Sequence, residues 1–388
     1  MKRSEKEDMI KNLLRKSVRI LFRLFNFELF SRAQTTAFLN AFKVVSYEAH
    51  PVNLPEVSDL INKHKIYFKA VQSTTENSTV WVYKSEQKKA SLLPYGSVLT
   101  RGKVLCTDFN HRGVLQGLLT FNTRTPVATS VLIAPWTQYL DGIMFGGYYD
   151  FIINVFAKLC RMKNALSEQA FREALVAYPL FNTTYEREYL DLLGISPNRV
   201  YDSRLCKITF DTCVLGNSGH WFYPNIADIL SMKKIVESTF LIRSTHQKRI
   251  YVSRAGRRRV LNENEVIALV KRYGFEVIED VPRSVAEQYE IYRNAAFIIG
   301  PHGASFTNII WCQPGTHLFE LFSASYVPDH FHYLAQILKL RYSAYCYGSV
   351  RPGDLSKGVE EDIFVSIPEF EQCLNAIFKN QAGSATNF

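Results

Sequence analysis

The 388-residue sequence lacks most of the patterns that would settle its class at once. Its seven cysteines (106, 160, 206, 213, 312, 346 and 373) are scattered, with no Cys-x-x-Cys and no metal-ligand spacing. An odd, unpatterned set reads as reduced thiols in a cytoplasm rather than as a disulfide framework. There is no Asp-x-Asp motif to hold a divalent ion on a diphosphate, no low-complexity tract and no internal repeat. No apolar run is long enough to span a bilayer, and no cleavage site follows the basic N-terminus. A disulfide scaffold, a zinc module, a solenoid and a membrane-spanning protein are thus disfavoured.

What is present is the composition of a folded protein, 47% hydrophobic and 21% charged, at a length that suits two α/β domains. The net charge of +10 is local. Residues 1–33 hold nine Lys/Arg against four Asp/Glu, residues 241–272 hold nine against two, and the rest of the chain is slightly acidic. A general nucleic-acid surface is therefore not required, and no RNA or DNA module is recognisable. In the first cluster Ile10, Leu13, Leu14, Val18, Leu21, Leu24 and Phe25 share one helical face, and Lys11, Arg15, Arg19 and Arg23 line the other. Such a basic amphipathic helix either lies on an anionic membrane surface or packs on its own protein with its arginines wet.

The C-terminal half alternates strands and helices. KRIYVSR (248–254), FEVIED (275–280), AFIIG (296–300), HLFELF (317–322) and RYSAYCY (341–347) read as strands. Helices are expected over 262–273, 284–294, 304–311 and 329–339, the second capped by Ser284. Strands alternating with helices at about twenty-residue intervals mean a parallel, doubly wound sheet. The alternation also appears between about 128 and 215, whereas 34–125 gives no topology. The expected organisation is the basic helix (1–33), an N-terminal α/β domain (34–240) and a C-terminal Rossmann-like domain (241–388). A last helix over 367–380 is read as packing back across both domains.

Ligands of an open parallel sheet bind beyond the carboxyl ends of its strands. Arg254, Arg257, Arg258 and Arg259 follow the first strand, Pro301–His302–Gly303 follows the third, and Glu320 lies near the end of the fourth. Gly303 removes a side chain where a helix begins, so the N–H groups of Gly303, Ala304 and Ser305 can approach a diphosphate. Arginine offers a fixed fork of donors for phosphate oxygens. Glu320 can accept the two hydroxyls of a ribose, and a charge inside an apolar strand needs a partner or a ligand. Together these residues describe a nucleotide-diphosphate site. At least one of the three consecutive arginines is expected to face solvent, and His302 could also serve merely to cap backbone groups.

The stretches YVSRAGRRRVLNENE (251–265) and EQYEIYRNAAFIIGPHGASFTNIIWCQPGTHLFELF (287–322) resemble the signature of glycosyltransferase family 61. The resemblance covers roughly 245–345, with several motifs in the right order and spacing. It implies the two-domain GT-B architecture, with two Rossmann-like domains facing a cleft, and inversion at the anomeric carbon. The donor is usually a UDP-sugar held by the C-terminal domain as substrate, and no cofactor or metal is implied. By the same carry-over Asn308 joins Arg254, His302, Gly303 and Glu320 at the donor, and Asn262–Glu263 support the arginine loop. The implied partners are the nucleotide-sugar donor and a glycan or glycolipid acceptor, in capsule or cell-surface polysaccharide synthesis. The implied place is the cytoplasm, with peripheral contact at the inner membrane face. Bacterial members commonly open the N-terminal domain's helix with an aromatic–His pair, where GGYYDFIINVFAKL (146–159) carries Asp150. Ser305–Phe306 also replaces the usual Gly–Leu.

Inversion needs a base to take the acceptor's proton as the bond forms. Asp150 is the first candidate, although a carboxylate in a first helical turn is also favoured by the helix dipole. His220, in GNSGHWFYP (216–224), is the second. The leaving diphosphate would be stabilised by Arg254, His302 and the helix N-terminus in place of a metal. Two other readings use the same features: a sugar-nucleotide epimerase of the same architecture, which turns over without an acceptor, and a basic nucleic-acid-binding protein, whose affinity would collapse with salt.

Overall fold

The computed structural model of the chain describes residues 27–57, 71–73, 76–85, 90–108, 114, 123–135, 147–217, 220, 222–240, 247–348 and 358–384. The basic helix expected over 1–33 therefore lies almost wholly outside the described residues. Its last residues are not part of such a helix: Glu28–Leu29 form a strand beside Lys103–Val104, and Ser31 opens a separate helix, Arg32–Leu39, with a reciprocal capping box to Gln34. Among the described residues no helix is long and apolar enough to cross a membrane.

The chain divides into two compact units. One consists of the residues up to Ala49 together with Glu76–Ile235, and the other of His50–Thr75 with Val236–Phe388. The first unit is built on a ten-stranded mixed sheet. Its long strands Thr125–Ala134 and Cys206–Gly216 run parallel, and Leu175–Tyr178 and Val200–Asp202 extend the parallel part on one side. On the other side of Cys206–Gly216, Ser78–Lys84 and Ala90–Leu92 pair antiparallel. The segment that gave no topology in sequence thus supplies antiparallel strands to a sheet begun by parallel ones. The unit is α/β, but its sheet is mixed rather than doubly wound.

Against that sheet lies the helical segment Tyr148–Phe151, Ile152–Phe156 and Ala157–Ala165, whose middle turn is wound as a π-helix. Its buried side includes Lys158 and Arg161, which are charges without water and so need partners. Lys158 Nζ meets Asp108 at 3.0 Å, and Arg161 grips both carboxylate oxygens of Asp228 at 2.8 and 3.1 Å. Ser78 adds a hydrogen bond to Asp228, and Arg161 Nη2 donates to the Asn217 carbonyl. Burial pushes the Asp228 carboxyl up, and the charge of Arg161 and the Ser78 hydroxyl pull it back. These pairs tie the helix to the strand Ser78–Lys84 and to residues following the strand Cys206–Gly216.

The second unit carries a five-stranded, wholly parallel sheet. We number its strands β1 (Lys248–Val252), β2 (Phe275–Ile278), β3 (Ala295–Pro301), β4 (His317–Phe322) and β5 (Arg341–Cys346). Its helices are α1 (Glu263–Arg272), α2 (Val285–Arg293), α3 (His330–Ile337) and α4 (Ile367–Ser384). The strand order is β2-β1-β3-β4-β5, each pair parallel. Phe297, Ile299, Phe319 and Leu321 pack with Val266, Leu269 and Val270 of α1 and with Phe370 and Leu374 of α4. The alternating Ile298 and Leu318 are equally buried and point the other way, as the pleat requires. α4 thus packs into the core of its own unit. Gly300 lets β1 and β3 approach, because a Cβ there would stand 2.8 Å from the Val252 carbonyl oxygen.

Replacing Arg161 by Met should leave Asp228 buried with Ser78 but without its paired guanidinium. The expected loss is about 3–5 kcal/mol of stability, read by urea unfolding. A change below about 1 kcal/mol would show that the pair does not hold the helix.

Candidate functional site

In a sheet of order 2-1-3-4-5, β1 and β3 are neighbours whose connections leave on opposite faces, and the crevice at their carboxyl ends is the natural ligand site. The loop after β1 and the turn after β3 carry Arg254, Arg258, His302 and Gly303 to that point. The arginine loop is strapped along residues 358–365. Arg259 and Ile363 exchange main-chain contact, Leu261 N–H bonds the Ile363 carbonyl, and Asn262 bonds both backbone groups of Val365. Glu263 accepts from the Tyr251 hydroxyl at 3.0 Å.

The four arginines separate by partner. Arg257 pairs with Glu360 at 2.8 Å and Arg259 with Asp362 at 3.0 Å, both on the strap and exposed. Arg254 and Arg258 have no carboxylate in hydrogen-bonding contact among the described residues. Arg254 donates from Nε to the Arg257 carbonyl at 2.5 Å and from Nη1 to the His302 carbonyl at 3.2 Å. Arg258 sits in the left-handed region at φ 59°, which turns its side chain inward to 6% exposure. Its Nε donates to the same His302 carbonyl at 3.1 Å and its Nη1 to Val359, with its guanidinium 5.2 Å from the Tyr326 ring centroid. Two guanidiniums thus converge on one carbonyl oxygen. Burial, then the neighbouring arginines, hold the Arg254 guanidinium down to about 10. A site that penalises its own positive charge in this way is relieved by a bound anion.

Gly303 has a specific reason to be glycine. Its backbone is extended, so no strain is involved, but a Cβ there would fall 1.3 Å from Arg254 Nη1. The Nη1 end of the guanidinium occupies the space a side chain on this glycine would need. After it, Ala304–Trp311 is wound as a 3₁₀-helix, and the N–H groups of Gly303, Ala304 and Ser305 precede its first bond, from Phe306 to Gly303.

His302 and Glu320 lie together and buried. Nδ1 of His302 stands 2.5 Å from Oε1 of Glu320, and Oε2 accepts from the Tyr342 hydroxyl at 2.6 Å. Burial pushes the Glu320 carboxyl well up and the His302 imidazole well down. With both oxygens engaged and no exposed surface, Glu320 is not placed to receive a ribose, the role its position in the sequence suggested. It instead backs His302. Asn308 is also turned inward: its amide donates to Gln288 at 2.8 Å and accepts from the Trp311 indole at 3.1 Å, tying the 3₁₀-helix to α2. Tyr342 gave no signal in sequence, because only the β4–β5 register brings it beside Glu320.

The two candidate bases belong to the first unit. Asp150 lies half-buried in the first turn after Gly147, with Oδ2 3.2 Å from where a Cβ of that glycine would be. His220 stacks on Tyr223 at 4.5 Å, and its Nδ1 accepts from the Phe222 N–H at 3.2 Å. A neutral ring that accepts at Nδ1 carries its proton on Nε2, which leaves His220 no free lone pair for base work. Tyr149, beside Asp150, bonds the Phe222 carbonyl, so the two segments are neighbours.

Gly303→Ala should displace the Arg254 guanidinium without straining the backbone. Titration calorimetry with inorganic pyrophosphate is expected to show a loss of about tenfold or more, with unfolding little changed. Unaltered affinity would separate Arg254 from anion binding.

Residues 148–319 match the family model described as glycosyltransferase 61. The chain is also 36% identical over 61 residues to a beta-1,2-xylosyltransferase of Arabidopsis thaliana, across 16% of this chain and 11% of that protein. The chain therefore matches about a tenth of the length of this curated relative. The matched region contains Asp150, the arginine loop, His302 and Gly303. Residues 148–319, a little under half of the chain, are thus similar to glycosyltransferase family 61.

Proposed function

We propose that the protein is an inverting glycosyltransferase of GT-B architecture that moves a sugar from a nucleotide-sugar donor, a UDP-sugar in the first instance, to a hydroxyl of a glycan or glycolipid. The observation that carries this reading is the pair of guanidiniums, Arg258 buried and Arg254 half-buried, with no carboxylate in hydrogen-bonding contact among the described residues, at the carboxyl ends of β1 and β3. A diphosphate supplies the charge they lack, and the N–H groups of Gly303, Ala304 and Ser305 suit its oxygens. Arg257 stands beside them, paired with Glu360.

Stabilisation of the leaving diphosphate falls to Arg254, Arg258 and His302, a set of fixed donors that does not call for a metal. The acceptor's proton goes to a carboxylate, for which Asp150 is the candidate: as the sugar–oxygen bond forms, the hydroxyl proton passes to Oδ and the diphosphate leaves with the electron pair. The family's place in surface-polysaccharide synthesis and the basic N-terminal segment suggest work at the inner membrane face, the helix of residues 1–33 serving location and not chemistry.

A panel of nucleotide sugars tested for protection against heat unfolding identifies the donor, and no protection by any of them would sink the reading. With the donor in hand, Asp150→Asn should lower kcat by about 10²–10⁴ at nearly unchanged donor affinity, while His220→Gln costs far less. The reverse order would make His220 the base and Asp150 a helix-capping charge. Deleting residues 1–26, which spares the strand Glu28–Leu29 and the core residue Phe30, should leave turnover in solution intact and reduce co-sedimentation with anionic liposomes; an unfolded truncation would instead tie that segment to the core.

A further inference from the structure

The buried contact of His302 with Glu320 has a third member on the next strand. β4 and β5 pair Leu318 with Tyr342 and Glu320 with Ala344, which sets Tyr342 diagonal to Glu320 on one face of the sheet. The ring of Tyr342 is held by His332 of α3, stacked at 4.5 Å between centroids. Phe322 and Phe331 flank the ring of His302 at 5.4 and 5.3 Å. Each link is therefore fixed by packing as well as by its hydrogen bond. At the free end, Nε2 of His302 makes no hydrogen bond among the described residues.

One proton lies between Nδ1 and Oε1. If the pair is neutral overall, a second proton remains on Nε2, whichever partner holds the shared one. Losing that second proton would leave a net negative charge on two side chains that are almost wholly buried. The charged groups around the pair are Arg254 and Arg258 after β1, with His330 and Asp329 at the start of α3. Once an anion occupies the two arginines, their charge no longer offsets a negative pair, and the neutral form is the one that fits.

We propose that Tyr342, Glu320 and His302 form one hydrogen-bond chain ending in His302 Nε2–H, a third donor to the anion held by Arg254 and Arg258, with Tyr342 as its positioning residue. This rests on the reading of the two arginines as an anion site. It adds to that reading a residue outside the motifs, and it assigns Glu320 to orienting a histidine instead of to holding the donor.

The test is nitrogen NMR of the full chain labelled in histidine and saturated with inorganic pyrophosphate, with His302 assigned by its loss in His302→Gln. The expected spectrum shows a protonated Nε2 and a strongly hydrogen-bonded Nδ1. Glu320→Gln should keep that tautomer, because the amide N–H donates to Nδ1 and its carbonyl still accepts from Tyr342. A neutral imidazole donating from Nδ1 to a Glu320 carboxylate would instead leave Nε2 bare in the wild type. Tyr342→Phe should leave His302 exchanging between tautomers and weaken pyrophosphate about three- to thirtyfold, with circular dichroism unchanged. A bare Nε2 in protein that binds pyrophosphate overturns the chain. So does a bare Nε2 in Glu320→Gln, which decides the matter even where Tyr342→Phe fails to fold, and so does Tyr342→Phe matching the wild type in both readouts. A wild type that binds no pyrophosphate sinks the anion-site reading itself, and the third-donor role falls with it.

Discussion

The carbonyl oxygen of His302 is the point on which the second unit's site depends. It receives Nη1 of Arg254 and Nε of Arg258, and it sits directly before the glycine on which Arg254 lies. A carbonyl dipole is a weak counter-charge for two guanidiniums, and burial makes the deficit costly. The fold accepts this cost because other interactions determine the positions of both side chains. The strap of residues 358–365 fixes the loop, the left-handed turn at Arg258 sends its side chain inward, and the Arg257 carbonyl holds Arg254 from behind. The result is a set of donors whose geometry exists before any ligand arrives, so little ordering is left to be done on binding.

The same residue faces two ways. The backbone of His302 organises the arginines, while its side chain is organised by Glu320 and Tyr342. Arginine loop, histidine and the two strands beyond it are thus coupled through one residue at the end of β3. A substitution at Tyr342, separated from the arginine loop's strand by β3 and β4, acts on the site by this path, whereas one at Gly303 acts by direct contact. The two separate orientation of the ring from placement of the cation.

Much of this unit was legible in the sequence, for physical reasons. Its strands are short β-branched or aromatic runs between helices closed by Ser284 and Gly274, so periodicity and caps place them within a residue or two of where they fall. The carboxyl-end rule then put Arg254, His302 and Gly303 together. The rule could not say which atoms face which. Glu320 reads as a lone charge in an apolar strand, and its real partners depend on the parallel register with β5, which sequence spacing does not encode. Asn308 belongs to the same motif as His302, yet its amide closes on Gln288 and Trp311 because the 3₁₀ winding turns it inward. The first unit was less legible, since its sheet joins parallel strands to antiparallel ones contributed by a segment without periodicity.

The basic stretch 241–272 shows why local charge is a poor guide to partners until each side chain is placed. Counted in sequence it is a strong positive patch, the kind that invites a polyanion. In the fold Lys248 pairs with Glu276, Arg257 with Glu360, Arg259 with Asp362 and Arg272 with Glu371. Arg249 donates to the Tyr273 carbonyl and lies over the Phe378 ring at 4.2 Å. Exposed pairs of this kind add little stability, but they cancel the field that a long nucleic acid would track. Arg243 lies outside the described residues and Lys271 is exposed on α1, while Arg254 and Arg258, half-buried and buried, stand side by side at the switch point of the sheet. Two concentrated charges at the end of a strand suit a compact dianion, which is the feature on which the proposed diphosphate site rests.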